Sequence, residues 1–178
     1  EVYRRYSEAF LSILERYSDV IEQCSIDECF IDMTGTEKLF GAPVEAATRI
    51  KDEIYRELGF TVNVGISTNK LLAKMASDFR KPNLVHTLFP YEIKSKMWGL
   101  PVGELFLVGR STQSTLHTLG IHTIGELANA DVDMLRASLK KQGEVIWKFA
   151  NGEGVSVVEA EPADVKSYGN ATTIAFDV

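Results

Sequence analysis

The chain contains little cysteine and no long apolar segment. Cys24 and Cys29 are the two cysteines in 178 residues, which is too few for a disulfide framework, and they lack the two further ligands of a zinc site. No apolar run approaches the roughly 18 residues of a membrane-spanning helix, and no signal peptide stands before the charged pattern that begins at Glu1. These absences favour a soluble, cytoplasmic protein with reduced thiols and no membrane partner.

Basic charge is also scarce. The 19 Lys and Arg residues are outnumbered by 25 Asp and Glu residues, which gives a formal net charge of −6. Such a chain has no overall basic field, so any binding of nucleic acid must come from local sites.

Glycine-rich phosphate loops, dinucleotide fingerprints and repeats are absent from the sequence. The spacing of His86, His117 and His122 is not that of a metal site, which indicates structural histidines.

The first ninety residues alternate between helical and strand patterns. Apolar residues at intervals of three and four predict helices, and alternating apolar residues predict strands. The predicted elements are a helix over Glu1–Tyr17, strands over Val20–Ile26 and Cys29–Met33, a helix over Pro43–Leu58, a strand over Thr61–Ser67, a helix over Lys70–Ser77 and a strand over Leu84–Leu88. This α-ββ-α-β-α-β order predicts an α+β sandwich. Because the first helix begins at Glu1 without a start Met, we expect further sequence upstream in the whole protein.

After Pro90 the pattern changes to short helices interrupted by glycine, and we place a domain boundary near 90–94. Capping residues and apolar spacing predict the helix starts and ends in this region. The predicted helices are Arg110–Leu119, one that begins at the Thr123-x-x-Glu126 capping box, one from the Asp131 cap to Leu139, and Glu144–Ala150. Val155–Asp164 is typical of a linker, and Ser167–Val178 resembles the first strand of a further domain.

Two adjacent carboxylates, Asp27 and Glu28, lie at the tip of the predicted hairpin. In a regular strand their side chains would point to opposite faces, but at a hairpin tip they can share an ion. Mg²⁺ prefers carboxylate oxygens, waters and phosphates, so the pair fits part of a two-metal phosphoryl-transfer site whose third carboxylate lies outside this chain. The alternative is ordinary turn chemistry, because Asp favours turns and both residues are easily solvated.

Cations cluster on one edge of the predicted sandwich. Lys70, Lys74 and Arg80 precede the turn Lys81-Pro82-Asn83. A lysine in this cluster could bind a triphosphate. The alternative for Lys81 is an exposed lysine beside a proline turn.

Two loops of the second region resemble parts of helix-hairpin-helix motifs. The first is Leu107-Val108-Gly109-Arg110, and the second is Lys140-Lys141-Gln142-Gly143. In such a hairpin, glycine lets the backbone N–H groups at a helix start approach a phosphate. Either stretch alone could be a plain loop, but two in succession beside cations favour binding of a nucleic-acid backbone without sequence preference.

Three motifs occur together in the first region, and shorter motifs continue through the second. The first three are Ser25-Ile26-Asp27-Glu28-Cys29-Phe30-Ile31-Asp32, Val64-Gly65-Ile66-Ser67-x-Asn69-Lys70-x-x-Ala73-Lys74-x-Ala76-Ser77 and Lys81-Pro82-Asn83. The shorter ones include Leu100-Pro101-Val102, Leu119-Gly120-Ile121-x-Thr123-Ile124 and Trp147-x-x-Ala150-x-Gly152. In combination they resemble the Y-family, lesion-bypass DNA polymerases of the bacterial polymerase IV/V type, over nearly the whole chain.

The resemblance implies a partial ferredoxin-like palm over residues 1–90, a small all-α thumb with helix-hairpin-helix-like motifs over 91–154, and a linker into a truncated little finger over 155–178. It implies that Asp27 and Glu28 are catalytic and ligate two Mg²⁺ ions, and that Lys81 contacts the dNTP substrate. The implied contacts with primer-template DNA are Val108, Gly109, Arg110, Ser111, Lys140, Lys141 and Gly143. Two positions depart from the family pattern: Leu107 replaces a usual glycine, and Leu139-Lys140 replaces a common Phe-Gly.

The activity implied is translesion DNA synthesis in DNA repair and the SOS response, with a sliding clamp as a further partner. The family's first metal carboxylate and its fingers residues have no counterpart in this sequence, so we expect the chain alone to be inactive. The missing strand would lie between the hairpin and Thr61–Ser67, and the open sheet edge is expected to allow self-association. The alternatives are a non-catalytic nucleic-acid-binding scaffold and a palm-fold nucleotidyl cyclase, although a cyclase leaves the thumb-like region unexplained.

Overall fold

The computed structural model describes residues 1–154, 156–160 and 169. Its helices are α1 (Val2–Leu14), α2 (Glu37–Phe40), α3 (Pro43–Leu58), α4 (Lys70–Asp78), α5 (Ile93–Lys96), α6 (Arg110–Thr118), α7 (Ile124–Ala128), α8 (Val132–Leu139) and α9 (Lys141–Ala150). Its strands are β1 (Ile21–Gln23), β2 (Cys29–Ile31), β3 (Val64–Ile66) and β4 (Val85–Thr87). The α+β class is confirmed. The predicted strand at Ser167–Val178 lies outside the described residues, apart from residue 169.

The four strands are shorter than alternation predicts. β1 ends at Gln23 rather than Ile26 because the following residues form the turn, in which Cys24 N and Ser25 N both donate to Glu28 O at 2.9 and 3.1 Å. The last helix, α9, is longer than predicted, because it begins at Lys141, three residues before the predicted start at Glu144. Lys140 ends α8 and also precedes α9, so the two helices are separated by one residue.

The strands form two separate pairs. β1 and β2 are antiparallel, with Glu22 opposite Phe30, whereas β3 and β4 are parallel, with Gly65 opposite His86. Within the described ranges no strand joins the hairpin to β3. The sheet is therefore interrupted at the position where the family resemblance predicts an absent strand.

The described residues contain two apolar cores. The smaller core packs α1 and α3 over the hairpin and contains Ile13, Leu14, Tyr17, Ile50 and Ile54. The larger core extends from α4 to α9, and its fully buried side chains include Leu72, Leu88, Leu116, Leu135 and Ile146. Because α4 and Leu88 share this core with the later helices, packing is continuous across the boundary predicted at residue 90.

Local signals in the sequence account for most helix ends. Asn69 caps α4 by accepting from Leu72 N at 2.8 Å, and Asp131 caps α8 by accepting from Asp133 N at 2.7 Å. The capping box is confirmed, since Thr123 Oγ1 accepts from Glu126 N at 3.1 Å and Thr123 N donates to Glu126 Oε2 at 2.9 Å. No helix in the described part is long and apolar enough to cross a membrane.

Candidate metal, nucleotide and DNA sites

The hairpin tip presents both predicted metal-site carboxylates to solvent. Asp27 is exposed, and its Oδ1 accepts a hydrogen bond from Ser25 Oγ at 2.8 Å. Glu28 is exposed too, and its Oε1 lies 2.5 Å from Lys74 Nζ. Both carboxylates are therefore accessible at the turn that closes the hairpin, and each has a different polar partner.

A chain of ion pairs joins Glu28 to Lys81. Lys74 Nζ, which bonds Glu28, also lies 3.2 Å from Asp78 Oδ2, and Asp78 Oδ1 lies 2.8 Å from Lys81 Nζ. Partial burial alone would raise the pKa of Asp78, but the hydrogen bonds from Lys81 and Lys74 outweigh it and lower that pKa. The cation predicted for the triphosphate and the carboxylate predicted for the metal are thus linked through α4.

A second lysine of α4 forms a similar pair one helical turn earlier. Lys70 Nζ donates to both carboxylate oxygens of Glu22 at 2.9 and 2.7 Å. Glu22 Oε2 also accepts from Glu159 N at 2.8 Å, so the segment after α9 contacts the hairpin. Lys70 and Lys74 are four residues apart and therefore lie on the same face of α4, which faces the hairpin.

Asn63, which sequence reasoning did not single out, holds the segment that carries Lys81. Its Nδ2 donates to Ser77 O at 3.0 Å and to Arg80 O at 2.8 Å, and its Oδ1 accepts from Leu84 N at 3.0 Å. One side-chain amide therefore satisfies backbone groups on both sides of the Lys81 turn. In the sequence, the one sign of this role was that Asn63 occupies a polar position of the strand predicted over Thr61–Ser67.

Burial explains the state of the hairpin thiols. It raises the pKa of Cys29 to about 12, and it also raises the pKa of the Cys24 thiol. Cys24 and Cys29 are both free thiols in the described residues.

The two predicted hairpin loops lie side by side. Gln142 Nε2, at the start of α9, donates to Leu107 O in the first loop at 3.2 Å. Gly109 precedes α6, and Arg110, Ser111, Lys140 and Lys141 are exposed around the two helix starts. The first backbone N–H groups of a helix lack intrahelical partners, so these two starts present donors beside cations.

Val108 and Gly143, which the family resemblance implies as DNA contacts, are both buried. The Val108 side chain is buried and its N–H donates to Leu105 O at 3.0 Å. Gly143 is buried inside α9, its N–H donates to Lys140 O at 3.1 Å, and a Cβ at this position would lie 2.7 Å from the carbonyl carbon of Leu135. Gly143 therefore permits close contact between α8 and α9, and neither residue has a free N–H for a phosphate.

The hairpin-tip carboxylates fit half of a divalent-metal site. They supply the hard oxygen donors that Mg²⁺ prefers, and both are accessible. Among the described residues, however, no group of three or more carboxylate, imidazole or thiol side chains comes together to hold a metal. A complete two-metal cage needs at least one further ligand on another segment.

The sequence matches known polymerases along its whole length. A profile of the family described as IMS, the impB/mucB/samB family, matches residues 1–78. DNA polymerase IV of Clostridium acetobutylicum is 49% identical over 178 residues, which are 100% of this chain and 45% of that protein. DNA polymerase IV 2 of Bacillus subtilis is 44% identical over 170 residues, which are 93% of this chain and 41% of that protein.

The fold agrees with the sequence. The crystal structure of DinB from Sulfolobus solfataricus matches with a TM-score of 0.79 and 29% identity, over 89% of this chain and 47% of that one. A Y-family DNA polymerase chimera matches with a TM-score of 0.78 and 29% identity, over 91% of this chain and 48% of that one. Together these matches support a fragment of a Y-family DNA polymerase. It spans about half the length of the curated relatives that it matches.

The two departures from the Y-family pattern coincide with strained backbone. Leu107 has φ 67° and Lys140 has φ 56°, a region that favours glycine. Lys140 combines this φ with ψ −139°, close to a region that is essentially restricted to glycine. The loops thus keep the glycine-type backbone although the glycines themselves are absent.

Lys140→Gly is expected to stabilise the chain by about 1 kcal/mol, because relief of the strain exceeds the entropy cost of glycine. Lys141→Gly is the matched control, since Lys141 begins α9 with helical geometry and glycine there is expected to destabilise by up to about 1 kcal/mol. Urea unfolding of the two variants measures the difference. Equal or reversed shifts would show that Lys140 is not strained.

Proposed function

We propose that this chain forms the palm and thumb part of a translesion DNA polymerase, in which Asp27 and Glu28 bind catalytic metal and Lys81 contacts the triphosphate of the incoming nucleotide. The main support is the ion-pair chain that links Glu28 to Lys81 through Lys74 and Asp78. This ion-pair chain supports the proposal because Glu28 and Lys81 lie at its two ends. The remaining ligands and the fingers contacts belong to segments outside the chain.

The chemistry proposed is template-directed transfer of a nucleotide to a primer 3′-hydroxyl. When bound, two Mg²⁺ ions would lower the pKa of that hydroxyl and neutralise the departing pyrophosphate. The hairpin turn holds Asp27 and Glu28 accessible at its tip, so that both can face the phosphates. The Lys81 side chain is 61% exposed and pairs with the carboxylate of Asp78 on the surface of α4, so it can exchange Asp78 for a phosphate oxygen.

The proposed DNA contact is the pair of adjacent helix starts in the thumb. The first start is that of α6, with Gly109, Arg110 and Ser111, and the second is that of α9, with Lys140 and Lys141. A hydrogen bond from Gln142 to Leu107 joins the two loops. Backbone N–H groups and cations at such positions bind phosphates without reading base sequence. Val108 and Gly143 would act indirectly, by packing the loops.

We also propose a division of the chain into domains. We assign residues 1–90 to the palm, 91–154 to the thumb and 155–178 to the linker and the start of the little finger. The shared core between α4 and the later helices would keep palm and thumb together. A cytoplasmic location, and a sliding clamp bound through other segments, belong to the same proposal.

Primer extension by a chimaera tests the function. In the chimaera this chain replaces the matching segment of the Clostridium acetobutylicum DNA polymerase IV, which supplies the other segments. With Mg²⁺ and dNTPs we expect the chimaera to extend a primer on undamaged and abasic templates, and the chain alone to be inactive. A folded, DNA-binding chimaera without activity would contradict the catalytic role and favour the non-catalytic scaffold.

The open edges of β2 and β3 are expected to cause self-association of the isolated chain. Each described strand pairs on one side only, and unpaired edges favour pairing with a second copy. Light scattering should show a mass that rises with concentration. The chimaera is the control, because its host strand would fill the gap and keep it monomeric. A monomeric chain at high concentration would contradict this expectation.

A further inference from the structure

Lys70 and Lys74 occupy comparable positions on α4, so each can serve as a control for the other. Both lie on the same face, and each bonds a hairpin carboxylate. Their partners differ in position, because Glu22 lies in β1 whereas Glu28 lies at the tip beside Asp27. Any effect specific to the tip should therefore depend on Lys74 and not on Lys70.

Lys74 is held by two carboxylates at once. Its side chain is 20% exposed, and its ammonium lies 2.5 Å from Glu28 and 3.2 Å from Asp78. Burial alone would lower the pKa of Lys74, but the hydrogen bonds that its ammonium donates to Glu28 and Asp78 outweigh this effect and raise that pKa. The ammonium is thus firmly charged, and it would keep one anionic partner if Glu28 turned away.

Glu28 is the looser partner of this pair. Its side chain is 51% exposed, whereas Lys74 belongs to a helix whose packing face is buried at Leu71, Leu72 and Met75. The cost of releasing Glu28 is low, because half-exposed ion pairs are weak and solvent can replace the lysine. Glu28 can therefore change partners while Lys74 stays in place against Asp78.

We propose that Lys74 is a positioning residue that occupies Glu28 in the metal-free protein and passes to Asp78 when a divalent cation binds at the hairpin tip. The proposal rests on the proposed function, in which Glu28 is a metal ligand. In the absence of metal, the Lys74 ammonium partly neutralises the negative charge of Asp27 and Glu28. When metal is present, Lys74 competes with it for Glu28. Asp78 retains the displaced ammonium close to the site.

The sign of the effect follows from Coulomb's law. Removing a positive charge next to Glu28 leaves the tip more negative, so a divalent cation should bind more tightly. We expect Lys74→Met to tighten binding by about three- to tenfold at low salt, and the gain to shrink as ionic strength rises. Lys74→Arg keeps the charge and should bind like the unmodified chain. Lys70→Met, which removes the Glu22 pair and the ammonium over the Phe30 ring but no contact with Glu28, should also leave the affinity unchanged.

The test is a titration of the chain with Mn²⁺, a paramagnetic stand-in for Mg²⁺, followed by amide line broadening in ¹H–¹⁵N spectra. The apparent affinity comes from residues 24–29, and circular dichroism confirms that each variant is folded. Tighter binding in Lys74→Met alone supports the proposal. Equal affinity in the unmodified chain, Lys74→Met and Lys70→Met would overturn it while leaving the metal site intact. Broadening that spares residues 24–29 in every variant would contradict the metal site itself, and with it the proposal.

Discussion

Replacing Asp27 with Asn or Glu28 with Gln in the chimaera is expected to lower the rate of primer extension by at least about a thousandfold. Each change would remove a charged oxygen ligand from the proposed site, whose metal ions would stabilise the charge that develops in the transition state. Asn and Gln keep the size of the side chains, so the exposed hairpin tip should fold as before. Single-turnover extension at saturating dNTP measures the chemical step.

The matched control for these variants is Glu22→Gln. Glu22 lies in the same hairpin and is also bound by a lysine of α4, but it is away from the tip. We expect its effect on the rate to be within a few-fold. Near-normal extension by Asp27→Asn or Glu28→Gln would contradict their assignment as metal ligands, whereas equal losses in all three variants would indicate structural damage to the hairpin.

Gly65→Ala is expected to destabilise the chain by at least about 3 kcal/mol. A Cβ on Gly65 would overlap the backbone oxygen of Ala73 and lie 2.5 Å from Ser77 N, so α4 would have to move away from β3. Both obstacles are backbone atoms of α4, which cannot adjust as a flexible side chain would. The displacement would also separate Lys74 from the hairpin.

Gly99→Ala serves as the control for that stability measurement. A Cβ at Gly99 meets no atom within 4 Å, so its substitution should change the free energy of unfolding by less than about 1 kcal/mol. Urea or thermal unfolding of both variants gives the comparison. A Gly65→Ala variant as stable as Gly99→Ala would show that α4 does not pack on β3 at the described distance.

The hairpin and its tip could be predicted from the sequence because their signals are local. Two apolar runs separated by Asp27 and Glu28 are enough to place both carboxylates in a turn, and capping residues located α7 and α8. The predicted strand lengths were wrong. For β1 the reason is that the hydrogen bonds of Cys24 and Ser25 turn the chain before the apolar alternation ends.

The contacts between distant segments could not be predicted in the same way. Lys74 and Glu28 are separated by 46 positions, and no local pattern reveals that α4 faces the hairpin. Gly143 looked like part of a phosphate-binding loop, yet its role comes from the close approach of α8, which depends on tertiary packing. The core shared by Leu72 and Ile146 likewise crosses a boundary that composition alone had suggested.

The most direct test of the central claim is the insertion of a single nucleotide by the chimaera. A labelled primer, a template and one dNTP at a time are mixed with Mg²⁺, and the product is resolved at single-nucleotide length. We expect a primer longer by one nucleotide, formed chiefly with the dNTP that matches the template base. Each addition should release one pyrophosphate. A folded chimaera that binds the primer-template and forms no such product, or adds nucleotides regardless of the template, would contradict it.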